Sequence, residues 1–300
     1  MLSGKIFLFY HGKILNRVFA KTTNTFIIDK IKVCGGSMKL AVSPLFSGSS
    51  GNATYIGSEK TGILIDAGVA GSNIKSALET IGKRPEELSG ILVTHEHIDH
   101  IKGIGVLSRK YDIPVYANAA TWEVMGKIGD ISLRNTRVID KNDFFIGDLI
   151  ITPNPLFHDA ADPMGYTVSA YGKSVSIMTD SGKVSKAMLD TAGRSTIVLL
   201  ESNHDVDMLK CGSYPYKLKS RILSSHGHLS NVDCAAAAAE LVKRGVRGVI
   251  LSHLSKDNNF PELALTTVVE GLKEQGITAG RDVSLKVAQR DKVTGYFELT

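Results

Sequence analysis

The chain has little of what marks secreted, disulfide-stapled or membrane proteins. Its 300 residues hold three cysteines, Cys34, Cys211 and Cys234. These share no metal-ligand spacing and leave an odd thiol, a pattern that fits a reducing cytosol, so a cytoplasmic location is expected. No hydrophobic run approaches the roughly 20 residues that cross a bilayer; the apolar run at 6–10 is far too short, and no membrane association is expected. No low-complexity stretch or linker-like break follows Met38. Positive charge is also scarcer than the formal net of +5 implies, because residues 1–37 hold six of the 35 Lys and Arg and one of the 30 Asp and Glu. Residues 38–300 therefore carry 29 of each sign. A neutral body does not draw nucleic acid by bulk charge, so any attraction for phosphate must come from local clusters or bound cations.

What remains is ample for a core. Hydrophobic residues make up 43% of the chain and the mean hydropathy is +0.04, as in a soluble globule. Residues 1–37 are basic, without a signal-peptide core or a clear cleavage site. We read them as an extension that is disordered or non-native. Gly35-Gly36-Ser37 fits a purine-rich ribosome-binding stretch read as codons, with Met38 as the true start; a mitochondrial-type targeting segment is the competing reading. Residues 38–300 read as one domain. Strands are expected at 39–42, 53–56 and 62–65, then a helix over 72–81 and another over 101–110. A strand at 113–116 and a helix over 121–128 come next, and strands dominate from 138 to 178. Helices over 185–191, 216–223, 232–244 and 262–274 then alternate with strands at 196–200, 247–252 and 283–287. Two strand-rich halves with helices outside imply sheet packed on sheet.

The densest chemistry lies at Thr94-His95-Glu96-His97-Ile98-Asp99-His100, directly after the apolar run Gly90-Ile91-Leu92-Val93. A strand ending in this way delivers imidazole and carboxylate donors to one spot, a mixture suited to zinc, iron or manganese. The ordinary alternative is a polar loop or a helix start capped by Asp99. Partners follow in order at the ends of further expected strands: His158, Asp180 after Val175-Ser176-Ile177-Met178-Thr179, and His253 after Val249-Ile250-Leu251-Ser252.

With Asp66 in Ile63-Leu64-Ile65-Asp66-Ala67-Gly68 as an early motif, this pattern resembles the metallo-β-lactamase fold superfamily. Ser47-Gly48-Ser49-Ser50-Gly51-Asn52, His158-Asp159-Ala160, Ser202-Asn203-His204-Asp205 and Gly227-His228-Leu229-Ser230-Asn231 narrow the resemblance to the WalJ (YycJ-like) exonuclease group, from about Met38 to the C-terminus. The resemblance implies an α/β chain folded as an αβ/βα four-layer sandwich. It implies two divalent ions, one held by His95, His97 and His158 and the other by Asp99, His100 and His253, with Asp180 between them and Asp66 orienting a histidine of the cluster. It also implies a phosphodiesterase using a hydroxide shared by the metals, a 5′→3′ DNA exonuclease of DNA repair. Asp99 and His228 are its expected catalytic residues, His228 as acid or phosphate contact.

Three features narrow the chemistry further. Asp180 stands where the lactamases use Cys, His97 where the di-iron relatives use Glu, and the interval from Asp180 to His253 is too short for an inserted cap domain. Ser50 and Asn52 in the Gly/Ser loop, His204, and Lys217 and Lys219 before the His228 loop are expected to meet substrate, although turn, surface histidine and solvated helix face are their ordinary readings. The rival functions are a small-molecule hydrolase of the same fold, acting on a thioester, lactone or cyclic phosphodiester, and a metal-stabilised binding protein.

Overall fold

The computed structural model describes residues 39–299, together with a backbone ladder that pairs Phe9–Tyr10 with Lys13–Ile14. Apart from that ladder, the expected extension 1–37 lies outside the described residues. Two seven-stranded mixed sheets pack face to face. The first runs Phe297–Leu299, Leu40–Phe46, Ala53–Gly57, Gly62–Ile65, Leu88–Leu92, Val115–Asn118 and Thr136–Ile139 from edge to edge. The second runs Ser284–Val287, Gly248–Ser252, Ile197–Glu201, Lys173–Met178, Met164–Ala170, Leu149–Pro155 and Phe144–Ile146. In each, a strand meander turns into parallel strands joined through helices.

The central strands are apolar on both sides because both faces are covered. Along Gly62–Ile65, Ile63 and Ile65 enter the core between the sheets while Leu64 enters a second core beneath the helices Gly71–Thr80 and Ile104–Tyr111. A third core lies under Asn231–Lys243 and Pro261–Glu274. Helix, sheet, sheet and helix layers make the αβ/βα sandwich.

The helix expected over 101–110 is two helices, Ile98–Ile101 and Ile104–Tyr111, and Gly103 breaks it. The Gly103 amide donates to the Ala67 carbonyl at 2.7 Å, and a Cβ there would lie 2.3 Å from the Val69 carbonyl oxygen. Gly68 is held as tightly, since a Cβ on it would lie 1.6 Å from the Asp99 carbonyl oxygen. These two glycines let the chain after Asp66 press against the turn that carries Asp99 and His100. The helix starts with His97, not Asp99, at its N-cap position. The helix expected over 121–128 is Ala119–Val124 followed by a 3-10 turn at Gly126–Ile128. An unanticipated helix, Val206–Cys211, is capped by Asp205, whose carboxylate accepts from the amides of Asp207 and Met208.

The two sheets are also stitched together beside the histidine motif. Tyr166, fully buried between them, donates its hydroxyl to the Val93 carbonyl at 2.7 Å, and the Met164 amide donates to the Thr94 carbonyl at 3.0 Å. The motif therefore leaves the first sheet already fixed to the second.

Candidate metal centre

The site forms where parallel strands of both sheets end. Gly62–Ile65 delivers Asp66, Leu88–Leu92 the histidine motif, Lys173–Met178 Asp180, Ile197–Glu201 its own terminal Glu201, and Gly248–Ser252 His253. Asp66, Asp180 and His253 all adopt left-handed backbone, with φ of 61°, 59° and 58°. That region is costly for residues other than glycine and is tolerated where a fold over-determines it. Here the turns swing Asp180 and His253 off their strand ends into the gap between the sheets and set Asp66 behind the ring of His100.

Four overlapping groups of donors result, and two that share no residue stand side by side. His95 Nε2, His97 Nδ1 and His158 Nε2 converge, with 3.1 Å between the first pair and 3.3 Å between His97 and His158. Beside them, His100 Nε2 and His253 Nε2 each lie 3.7 Å from Asp99 Oδ2. Asp180 stands between the sets: its Oδ2 is 3.3 Å from His100 Nε2, and its Oδ1 is 3.3 Å from His253 Nε2 and 4.0 Å from His158 Nε2.

A second layer fixes which nitrogen each imidazole presents. His100 Nδ1 donates to Asp66 Oδ2 at 2.7 Å, and Asp66 is itself anchored by the Thr94 amide and hydroxyl, both at 2.8 Å. His158 Nδ1 donates to the Gly227 carbonyl at 3.0 Å. His253 Nδ1 and His228 Nδ1 both donate to Glu201 Oε1, at 3.0 and 2.8 Å. In every case Nε2 is the nitrogen turned toward the gap. The donors fit divalent cations on a specific ground: His253 Nε2 and Asp180 Oδ2 are buried and make no hydrogen bond. Buried polar atoms of that kind cost about 1–3 kcal/mol each unless something coordinates them.

The electrostatics carry the same signature. Burial, with the neighbouring imidazoles His100 and His158, pushes His95 well below the ordinary histidine range. Burial would lower His100 too, but the Asp180 and Asp66 carboxylates outweigh it and raise it to about 9. His253 rises well above its ordinary value for the same reason, against burial and through Asp180 and Asp99. Burial would raise Asp99, yet the neighbouring His253 and His100 rings hold it well below the carboxylate range. Without metal, protons on His100 and His253 take the place of cations.

Sequence reasoning did not single out Glu201. It is fully buried, and its Oε2 accepts from the amides of Ser181 at 2.9 Å and Leu229 at 3.2 Å. An acidic residue closing the apolar run Ile197-Val198-Leu199-Leu200 is the same signal that marked Asp66 and Asp180. His228 is partly exposed, with Nδ1 3.7 Å from Asp180 Oδ1. Ser230 caps Asn231–Lys243 by accepting from the Asp233 amide at 3.1 Å.

The expected substrate residues scatter. Ser50 is exposed on its turn. Asn52 is buried beneath it: Oδ1 accepts from the Gly48 amide at 2.9 Å, and Nδ2 donates to the Gly48 carbonyl at 3.2 Å and lies 3.1 Å from His100 Nε2. His204 is buried with neither ring nitrogen hydrogen-bonded, and desolvation takes it down to about 4. Lys217 is exposed, and Lys219 Nζ donates to the Lys210 carbonyl at 2.7 Å. The cation of that helix beside the centre is Arg221, paired with Asp159, whose Oδ1 is 3.5 Å from His158 Nε2.

Metal binding to the metal-free protein at about pH 7 should release protons, because the raised His100 and His253 must be deprotonated to coordinate. Apparent affinity should rise with pH until His100 titrates, near 9. Calorimetric titration in buffers of differing protonation enthalpy measures this, and buffer-independent heats would contradict it. Glu201→Gln should weaken the hold on the His253 and His228 rings, because a neutral amide oxygen replaces the carboxylate that receives both. Affinity at the Asp99–His100–His253 position should fall roughly 10- to 100-fold, with a smaller loss at His95–His97–His158. Chelator competition reads both positions, and equal losses would count against this division of labour.

The profile of the beta-lactamase superfamily domain matches residues 61–254. The exodeoxyribonuclease YycJ of Bacillus anthracis is 42% identical over 81% of this chain and 93% of its own length. The exodeoxyribonuclease WalJ of Streptococcus pneumoniae is 41% identical over 86% of this chain and 97% of its own. Among solved structures, the metallo-beta-lactamase fold protein YhfI of Bacillus subtilis superposes with a TM-score of 0.66 at 16% identity, covering 87% of this chain and 100% of that one. The fold, the matched span and these relatives together show that the chain belongs to the beta-lactamase superfamily, within its YycJ/WalJ group.

Proposed function

We propose that the protein is a dinuclear metal-dependent phosphodiesterase, a 5′→3′ exodeoxyribonuclease that serves DNA repair in the cytoplasm. The observation that carries this reading is the pair of donor sets sharing Asp180, with the Glu201-held imidazole of His228 beside them. The names of the YycJ and WalJ relatives supply the substrate class. His95, His97 and His158 would hold one ion and Asp99, His100 and His253 the other, with Asp180 reaching both; zinc, manganese and iron all suit these donors. Bound there, such ions supply Lewis acidity toward a phosphodiester and activate water near neutral pH.

The chain's own residues do the rest. Asp66 and Glu201 lock the rings of His100, His253 and His228 and keep their Nε2 atoms directed away from the scaffold. Because His228 Nδ1 is committed to Glu201, Nε2 is the nitrogen available to steady a non-bridging phosphate oxygen or to protonate the departing 3′-oxygen. Ser50, on the exposed turn above Asn52, has a hydroxyl available to a neighbouring phosphate, and Asn52 supports that turn from below.

The direct test compares duplex DNA labelled at the 5′ or 3′ end with a generic thioester and bis-p-nitrophenyl phosphate. Release of mononucleotide from 5′ ends supports the proposal. Turnover of the thioester with DNA untouched would favour the small-molecule hydrolase. His228→Ala should lower DNA turnover by roughly 10²–10⁴. The deficit should be much smaller on bis-p-nitrophenyl phosphate, whose leaving group needs no proton. A helix cap would affect both substrates alike, so equal deficits would remove His228 from the chemistry.

A further inference from the structure

Beside the metal donors, three loops are knotted together by hydrogen bonds and close packing, and each presents one side chain to the same spot. The Phe157 amide donates to Ser181 Oγ at 3.1 Å, and the Phe157 carbonyl accepts from the Gly182 amide at 2.9 Å. His158 reaches the third loop through the Gly227 carbonyl. Gly182 and Gly227 make the knot tight. A Cβ on Gly182 would lie 2.3 Å from the Ser224 carbonyl oxygen and 2.7 Å from the Gly227 amide. One on Gly227 would lie 2.2 Å from the Ile222 carbonyl oxygen. The three loops thus form one platform, not three independent tips.

The side chains that meet there are Phe157, Lys183 and His226. The Lys183 ammonium sits 4.1 Å from the Phe157 ring centroid, and the His226 ring meets that of Phe157 at 6.3 Å and 65°. Phe157 is half-buried, while Lys183 and His226 are exposed. Among the described residues no carboxylate pairs with Lys183, and the hydrogen-bond partner of the His226 ring is the neighbouring Ser225 hydroxyl, 3.1 Å from Nδ1. Each member stands one to three residues from a group of the centre: Phe157 before His158, Lys183 after Asp180, His226 before His228.

An aromatic face, an uncompensated ammonium and an exposed imidazole on one rigid platform make a set that binds a base by stacking and its phosphate by charge. Sequence-independent single-strand binding uses this combination because every base has a π-face. We infer that Phe157, Lys183 and His226 form a nucleobase-stacking subsite for the nucleotide flanking the scissile phosphate, an inference that rests on the DNA phosphodiesterase reading above. On binding, the base takes the place of the Lys183 ammonium against the ring, and the ammonium moves to the adjoining phosphate. Such a subsite gives the otherwise neutral body a grip on a DNA end without preference for its sequence.

The experiment measures binding, by fluorescence anisotropy, of phosphorothioate single-stranded oligonucleotides with an abasic site at successive positions from the 5′ end. In the wild-type protein, one abasic position should weaken binding about 5- to 100-fold. Phe157→Leu, which keeps apolar volume against the core, and His226→Ala, which removes an exposed ring, should both lose most of that sensitivity. His226→Ala keeps the test decisive if Phe157→Leu fails to fold. An abasic series that binds like the intact strand at every position would overturn the inference, as would variants with undiminished sensitivity. Wild-type protein that cleaves DNA yet ignores abasic sites refutes the subsite alone. Protein that binds with base sensitivity and does not cleave DNA refutes the nuclease reading and leaves the subsite standing. Absence of any binding overturns the subsite.

Discussion

The structure depends on one constraint: donor atoms from both sheets must meet in a buried gap where they cannot satisfy one another. His95, His97 and His158 face each other through nitrogens that cannot all donate, and Asp180 carries a buried oxygen that makes no hydrogen bond. In a medium of low effective dielectric this is strongly unfavourable unless cations fill the gap. The site is stable as a set of cation ligands and poorly satisfied as a set of side chains. Around it, the fold carries features whose use is to hold these donors in place. Three non-glycine residues take left-handed backbone, two glycines sit pressed against neighbouring carbonyls, and a buried tyrosine ties one sheet to the other beside the motif.

The second layer is as organised as the first. Asp66 on the first sheet and Glu201 on the second play matching parts, each a buried carboxylate that receives an imidazole Nδ1 and is itself held by amide donors. Glu201 serves two rings at once, His253 among the donors and His228 beside them. A single side chain thereby couples the geometry of the metal centre to that of the imidazole assigned to the leaving group. This coupling explains why His228 belongs to the site although it lies on a loop and not at a strand end.

Much of this was legible in the sequence where the signal is local. His95 to His100 sit within six residues after an apolar run, and the ends of the runs before Asp66, Asp180 and His253 could be read by the same rule. Glu201 obeys that rule too, but the rings it holds are 27 and 52 residues away, and the histidine close to it in sequence, His204, is not one of them. The break in the helix after Ile101 was hidden because Gly103 is tolerable in a helix by propensity, and only the approach of the chain after Asp66 makes it a break. Lys217, Lys219 and Arg221 form one basic run before the His228 loop, but helix geometry turns Arg221 toward Asp159 and commits Lys219 to a backbone carbonyl. In each case a tertiary contact decided what local pattern could not.

The most direct measurement is metal content after equilibration with zinc or manganese, combined with anomalous diffraction from the loaded protein. The account predicts two ions per chain, about 3.5–4 Å apart, one among His95, His97 and His158 and the other among Asp99, His100 and His253, with Asp180 touching both. A single ion at saturation, or two ions of which neither contacts Asp180, would contradict it.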